Sequence, residues 1–153
     1  MAVSRADTLT QIKKQKEFYS DFLDSFAVSP IGGVLARVTN EKSVKQSVKN
    51  LILTNLGGMD SFTGKRIAGE RLFQPLVGSD VNRSLFEHND LLTIPLLVES
   101  IKSTVNLYEP RAQKLSVNII PSNDEHYLII NVIFYVINNP VPIDLTLNLR
   151  RVR

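Results

Sequence analysis

The sequence predicts an α+β domain in which N-terminal helices precede a C-terminal antiparallel meander of three strands. Up to about Tyr108 the apolar residues recur at helical spacing, whereas from residue 114 they alternate with polar residues, as in strands. Pro110 lies at this change of period and disfavours helical conformation at Glu109. The 153 residues, of which 43% are apolar and 22% charged, suffice to bury a core of ordinary composition.

The N-terminal segment predicts a helix over residues 8–25, with Thr8 as its N-cap and a loose apolar stripe. The sequence SPIGGV then breaks the pattern, and residues 33–38 predict a short strand. We therefore divide the chain into an N-terminal helical extension, 1–30, and a main domain, 31–153. The extension either folds onto the domain or reaches a partner protein, and we favour the second.

Three further helices are predicted before the change of period. Asn40 can cap a helix over 41–54, and the glycine-rich stretch 55–70 predicts an exposed loop or hairpin. Ser79 or Asp80 can cap a short helix that ends at Phe86. The strongest helical pattern covers 93–108, with Thr93 as the predicted N-cap, and we expect this one helix to cover a sheet face. Its apolar face comprises Ile94, Leu97, Val98, Ile101, Val105 and Tyr108.

Three strands are predicted at 114–120, 127–138 and 143–152. The middle strand is apolar on both faces, which is typical of a central strand. In the last strand, Ile143, Leu145, Leu147 and Leu149 alternate with Asp144, Thr146, Asn148 and Arg150. We expect this strand to form a sheet edge that a strand of another chain can extend.

Composition argues against several classes of function. The chain has no cysteine and only two histidines, His88 and His126, so we expect no disulfide, metal site or cofactor. No apolar run approaches the length of a membrane span, and no secretion signal precedes the domain. Residues 37–71 contain seven Lys or Arg against three acids, and the chain ends in RRVR. Basic patches attract nucleic acids, but no recognition motif accompanies this one, so nucleic-acid binding remains an alternative only.

Candidate catalytic residues are few. Glycoside hydrolysis requires two carboxylates, one with a raised pKa, and the candidates are Glu87, Asp90, Glu99 and Glu109. Arg111 lies two residues after Glu109 and would lower the pKa of that carboxyl, which is wrong for a general acid. The stretch GGMDSFTGKR does not match a phosphate-binding loop either. We assign no catalytic residue and no small-molecule substrate, and we keep a peptidoglycan-cleaving glycosidase as an alternative.

The tripeptide Glu109–Pro110–Arg111 has two interpretations. A carboxylate at a helix C-terminus is unfavourable unless a cation compensates it, and Arg111 can do so. Because Pro110 fixes the backbone between them, the two side chains can act as a clamp on a partner protein. Alternatively, Pro110 only ends the helix, and the flanking charges form a surface pair worth under about 1 kcal/mol. The residues alone leave both open.

Three short motifs occur in order along the chain: Phe73, Pro75 and Gly78, then Leu85, Phe86 and Glu87, then Glu109, Pro110 and Arg111. Together they resemble the baseplate wedge protein family of contractile-tailed phages, which is often labelled lysozyme-like and has relatives in type VI secretion systems. The resemblance covers roughly residues 71–149. It does not cover the predicted helix at 8–25, and the loop at 56–70 is longer than usual for the family.

The resemblance implies a non-enzymatic, structural role in the virion tail baseplate, assembled in the host cytoplasm. Glu109, Pro110 and Arg111 would brace the helical core bundle formed by other wedge proteins. The strand edge at 143–150 would offer pairing to the tail sheath subunit and initiate sheath assembly. Both implications favour the clamp interpretation. Phe73, Pro75 and Phe86 are expected to hold the domain together rather than to contact a partner.

Overall fold

The computed structural model describes residues 19–30, 32–59, 66–85, 92–121, 127–137 and 139–150. The described residues before Glu41 form one compact unit, and those from Glu41 onward form a second. The elements of the first unit are β1 (Ser20–Phe22) and β2 (Arg37–Thr39). The elements of the second are α1 (Glu41–Leu53), β3 (Gly58–Met59), β4 (Arg66–Ile67), α2 (Val81–Ser84), α3 (Thr93–Tyr108), β5 (Ala112–Pro121), β6 (Tyr127–Val136) and β7 (Pro142–Arg150). The predicted α+β class is confirmed, and none of the described helices is long and apolar enough to span a membrane.

The first unit corrects the prediction of a helix at 8–25. Its residues 20–22 form β1, which pairs antiparallel with β2, and residues 8–18 lie outside the described part of the chain. The backbone N–H of Leu23 donates to Ala36 O at 2.9 Å, so this segment bonds across the hairpin instead of along a helix. The predicted strand at 33–38 is also displaced. Gly32 and Gly33 have φ of 84° and 63° and form a turn, so pairing with β1 starts only at residue 37.

The second unit is built on the sheet β5–β6–β7, an antiparallel meander as predicted. Val132 of β6 is paired with Val117 of β5 and with Leu145 of β7, so one sheet face is continuous across the three strands. That face is buried. The alternation predicted for the last strand is confirmed at Ile143, Leu145 and Leu147, which are buried between exposed polar residues, while Leu149 is half-buried.

The predicted packing of the long helix on the sheet is confirmed, since α3 packs against β5, and α1 packs on the same sheet against β7. The helix at 41–54 therefore has the same structural role as the longer one. Ile94 and Val98, expected on the buried face of α3, are only half-buried. The core side chains are Val44, Val48, Leu51 and Ile52 of α1, Leu97, Ile101 and Val105 of α3, and Ile119, Leu128, Ile130, Val132, Phe134, Val136, Ile143, Leu145 and Leu147 of the sheet.

The ends of α3 set the position of the tripeptide motif. Thr93 is the first helical residue and not the N-cap; Leu92 takes that position and makes no side-chain capping bond. The C-terminal prediction is confirmed: the helix ends at Tyr108, and Glu109 has φ −130° and ψ 69°, outside the helical region, as expected before a proline. Asp80 precedes α2 without a side-chain capping bond, and α2 ends at Ser84.

Candidate assembly site

Glu109 forms a buried ionic clamp that joins two helices. Its side chain is 3% exposed and lies directly after the last turn of α3. Arg111 grips both carboxylate oxygens, with Nε 2.5 Å from Oε1 and Nη2 2.7 Å from Oε2. Ser47 Oγ of α1 donates to Oε2 at 2.5 Å. The carboxylate thus connects the C-terminus of α3 to the middle of α1.

The charge state of Glu109 follows from these neighbours. Burial alone raises the pKa of a carboxyl, because it disfavours the charged form. The hydrogen bonds from Arg111 and Ser47, together with the positive charge of Arg111, outweigh burial and hold the pKa of Glu109 below its ordinary value of 4.5. The carboxylate is therefore ionised at neutral pH and cannot supply a proton as a general acid.

The clamp differs from both interpretations made from the sequence. Glu109 is not part of a solvent-exposed surface pair, and it is not free to grip a partner, since its oxygens bind Arg111 and Ser47. Pro110 is exposed, and the Arg111 side chain is 33% exposed. The clamp therefore fixes the backbone that presents Pro110 and the partly exposed Arg111 side chain.

A second motif runs alongside α3. Asp80 N–H donates to Ser100 Oγ at 3.4 Å, Thr104 Oγ1 donates to Gly78 O at 2.6 Å, and Tyr108 Oη donates to Leu76 O at 3.2 Å. Two extended residues advance about as far as one helical turn, so residues 76–80 run antiparallel to the second half of α3. The Phe-x-Pro-x-x-Gly motif and the Glu-Pro-Arg motif therefore meet at the same end of the helix.

Gly78 has a clear structural role in this arrangement. It adopts φ +137°, and a Cβ there would lie 2.9 Å from the carbonyl carbon of Asn55 and would collide with Thr54 O. The neighbouring Ser79 is buried and donates through Oγ to Ile52 O at 2.5 Å. The segment is thus held between α1 and α3, and only glycine fits at its centre.

Phe73 does not behave as expected. Its side chain is 96% exposed, so the ring does not hold the domain together. Pro75 has an exposed side chain as well, but its carbonyl accepts from Gly57 N–H at 2.7 Å. Leu85 is half-buried, whereas Phe86 and Glu87 lie outside the described residues, as does the candidate acid Asp90.

Two residues central to the site were not predicted. Ser47 lies three residues after Val44 and four before Leu51, and Thr104 lies three after Ile101. Each is a polar residue on an otherwise apolar helix face, and such residues must find a hydrogen-bond partner when buried. A polar residue within an apolar helix face could therefore have identified both Ser47 and Thr104 as buried hydrogen-bonding residues.

The edge of the sheet is a separate feature. β7 pairs with β6 on one side, and no described strand pairs with its other side. Its exposed side chains are Asp144, Thr146, Asn148 and Arg150, and Arg150 lies over the ring of Tyr127 at 5.4 Å. A nine-residue strand that no described strand pairs with on its outer side is suited to accept another strand.

Glu99 and Glu109, the two candidate acids among the described residues, are not placed as a glycosidase pair. Glu99 is exposed on α3, ten residues before Glu109, which corresponds to about 15 Å along the helix axis. A hydrolytic pair needs a separation of about 5–9.5 Å. Among the residues that the structure describes, no three acids or histidines lie close enough together to hold a metal ion.

Known proteins match most of the chain. The family model described as baseplate wedge protein gp25 matches residues 38–141. The baseplate wedge protein gp25 of Enterobacteria phage T4 is 36% identical over 110 residues, which are 72% of this chain and 74% of that protein.

Two solved structures share the fold. A Geobacter sulfurreducens protein provisionally named a tail lysozyme matches with a TM-score of 0.55 at 21% identity, over 74% of this chain and 92% of its own. A chain of the anti-feeding prophage baseplate matches with a TM-score of 0.55 at 17% identity, over 86% of this chain and 85% of its own. At these identities, the likeness concerns the fold alone.

Proposed function

The chain belongs to the baseplate wedge protein gp25 family, and from this premise we propose that it braces the inner wedge core and supplies a sheet edge at which the tail sheath starts to assemble. Membership places the chain among the structural components of the virion tail baseplate, with other baseplate proteins as partners. The finer roles rest on two features of the fold: the clamp at Glu109 and the open edge of β7.

The bracing role is supported chiefly by the buried clamp. A flexible loop normally loses conformational entropy when it binds a partner, and this loss weakens binding. Here Pro110 limits the backbone, and the contacts of Glu109 with Arg111 and Ser47 hold the segment in place before binding. The exposed Pro110 and the partly exposed Arg111 side chain would then form a preorganised contact for the helical core bundle of the wedge.

The sheath role is supported by the accessible edge and the polar outer face of β7. Strand addition gives affinity through main-chain hydrogen bonds, and alternate side chains give specificity. The sheath subunit would contact the outward-facing side chains of Asp144, Thr146, Asn148 and Arg150. Ile143, Leu145 and Leu147 remain in the core.

We also propose that the function is not enzymatic. The support is the ionised state of Glu109 and its distance from Glu99. The name of the Geobacter sulfurreducens protein does not transfer, because a 21% identical neighbour shows only the fold. A hydrolase would release soluble fragments from purified peptidoglycan. The proposal expects no turnover, and turnover that Glu109→Gln abolishes in a folded protein would refute it.

The bracing role is tested by reconstituting the wedge from this chain and the neighbouring wedge proteins of the same virus, followed by size-exclusion chromatography. Pro110→Ala changes the exposed surface but leaves the carboxylate contacts intact, and Ser47→Ala weakens the clamp without altering that surface. We expect Pro110→Ala to reduce incorporation with a loss of stability of no more than about 1 kcal/mol. Ser47→Ala should lower thermal stability more than it lowers incorporation. Full incorporation of Pro110→Ala would contradict the brace.

The sheath role is tested by hydrogen exchange on the assembled wedge with and without the sheath subunit. We expect the outward-facing amides of β7 to become protected when the sheath subunit binds, while the amides bonded to β6 are protected in both states. The edge strand of β5 at the other side of the sheet is the internal control. Protection of β5 instead of β7 would show that the sheath subunit binds the opposite edge of the sheet, and this would refute the proposed sheath role.

A further inference from the structure

A short loop holds two large apolar side chains almost fully in solvent. Leu72 is 90% exposed and Phe73 is 96% exposed, and Leu76 nearby is 62% exposed. Single exposed apolar residues are common on protein surfaces and need no explanation. Three within five residues form an apolar patch of the kind that marks interaction sites.

The base of this loop is tightly fixed. Glu70 N–H donates to Asn55 O at 3.2 Å, and Gly57 N–H donates to Pro75 O at 2.7 Å. A Cβ on Gly69 would lie 2.8 Å from Pro75 Cα, and a Cβ on Gly57 would lie 2.9 Å from Pro75 O. The two strands of the loop therefore approach more closely than any side chain would allow. Residues 71–74 form a tip whose position is set before any partner binds.

The tip is continuous with the end of α3. Val77 N–H donates to Gln74 O at 3.1 Å, which closes a turn, and Leu76 O accepts from Tyr108 Oη at 3.2 Å. Leu107, the neighbour of Tyr108 in α3, is 70% exposed. The apolar tip and the Glu109–Arg111 segment thus lie at the same end of the helix and can contact one partner.

We infer that Leu72 and Phe73 are the apolar anchor of the wedge contact and insert into an apolar pocket, rimmed by carboxylates, on a neighbouring wedge protein. The inference rests on the proposed function and deepens it, because it assigns the binding energy to the loop tip and the orientation to Pro110 and Arg111. The acidic rim follows from charge: Arg71 is exposed directly before the anchor, and residues 71–76 contain no acid.

The energetics favour this assignment. Aromatic side chains bury about 150–250 Å² each, and a few such anchors usually dominate an interface. A preorganised loop loses less conformational entropy on binding than a flexible loop does, so more of the contact energy remains as affinity. Truncating Phe73 should therefore weaken the wedge contact by about tenfold or more, whereas an exposed ring contributes almost nothing to folding.

The test measures affinity for the purified neighbouring wedge proteins by fluorescence. The chain has no cysteine, so Gln74→Cys accepts a single environment-sensitive dye at the tip, and Glu99→Cys carries the same dye on a distant exposed turn of α3. Phe73→Ala, Leu72→Ala and Arg71→Glu are compared with Leu96→Ala, which truncates another exposed apolar residue, 68% exposed on α3. Thermal unfolding of all forms checks that each is folded.

We expect the Gln74 dye to shift on binding and the Glu99 dye to stay unchanged. Phe73→Ala and Leu72→Ala should each lose about tenfold or more in affinity, Arg71→Glu should weaken binding and reduce its salt dependence, and Leu96→Ala should bind as wild type. Wild-type affinity in Phe73→Ala would overturn the anchor while leaving the proposed function intact. Absence of wild-type binding to any wedge protein would overturn both. Self-association that Phe73→Ala abolishes would assign the tip to a second copy and also refute the inference.

Discussion

Replacing Glu109 by Gln should separate the electrostatic part of the clamp from its shape. The amide keeps the size of the carboxylate but presents one acceptor to the three donors that now converge on it, from Arg111 and Ser47. Breaking a fully buried ion pair costs about 3–5 kcal/mol. Because the Arg111 side chain is 33% exposed and can be partly rehydrated, we expect a loss of about 2 kcal/mol. For a domain of this size, that corresponds to a fall of about 4–8 °C in Tm.

The loss should depend on pH. The pKa of Glu109 is lower in the folded chain than its ordinary value of 4.5, so the folded state favours the ionised form. This contribution is fully present above the unfolded pKa and disappears as pH falls through the folded pKa. The gap in stability between wild type and Glu109→Gln should therefore be constant near neutral pH and shrink below pH 4.5.

The assay is urea unfolding followed by circular dichroism between neutral and acidic pH. Glu99→Gln, which removes an exposed carboxylate from the same helix, is the matched control and should change stability by less than about 0.5 kcal/mol. If the stability difference between wild type and Glu109→Gln is as large at acidic pH as at neutral pH, the clamp stabilises the fold through its shape and not through its charge. A gap no larger than that of Glu99→Gln would refute the clamp altogether.

Two further substitutions test the segment that runs along α3, both by urea unfolding. Gly78→Ala should lower the free energy of unfolding by about 3 kcal/mol, since it combines a strained backbone with a collision against residues 54 and 55. Gly33→Ala, at φ +63° in open space, should lower it by only about 1–2 kcal/mol. Equal losses for the two variants would contradict the steric explanation. Thr104→Val should lower the free energy of unfolding by about 1–2 kcal/mol, because it leaves Gly78 O without its donor. Ser103→Ala, on the exposed side of the helix, should leave stability nearly unchanged. No loss of stability in Thr104→Val would mean that water replaces the hydroxyl.

Much of the main domain was predictable because its signals are local and strong. The alternation in β7, the apolar run in β6 and the proline after Tyr108 each specify one structure, and each prediction is confirmed. The predicted helix at 8–25 rested on a loose stripe, and in its described part residues 20–22 pair with β2 instead. A propensity of a few tenths of a kcal/mol per residue is easily outweighed by such tertiary pairing.

The candidate site was predictable only in part. The sequence identified Glu109 and Arg111 as a pair, but the third member, Ser47, is 62 residues away, and its contact depends on how α1 and α3 cross the sheet. The exposure of Phe73 was not predictable either, because an aromatic residue is usually read as core. The close approach of Gly57, Gly69 and Pro75 fixes the base of the loop that carries Phe73.

The most direct test of the whole account is a cryo-EM structure of the reconstituted wedge, determined before and after addition of the sheath subunit. We expect Pro110 and Arg111 to contact a neighbouring wedge protein in both states. We also expect β7 to be unpaired on its outer side before the sheath subunit binds and to be extended by a sheath strand afterwards. A wedge in which the Glu109–Arg111 segment faces solvent and β7 stays unpaired after sheath addition would contradict it.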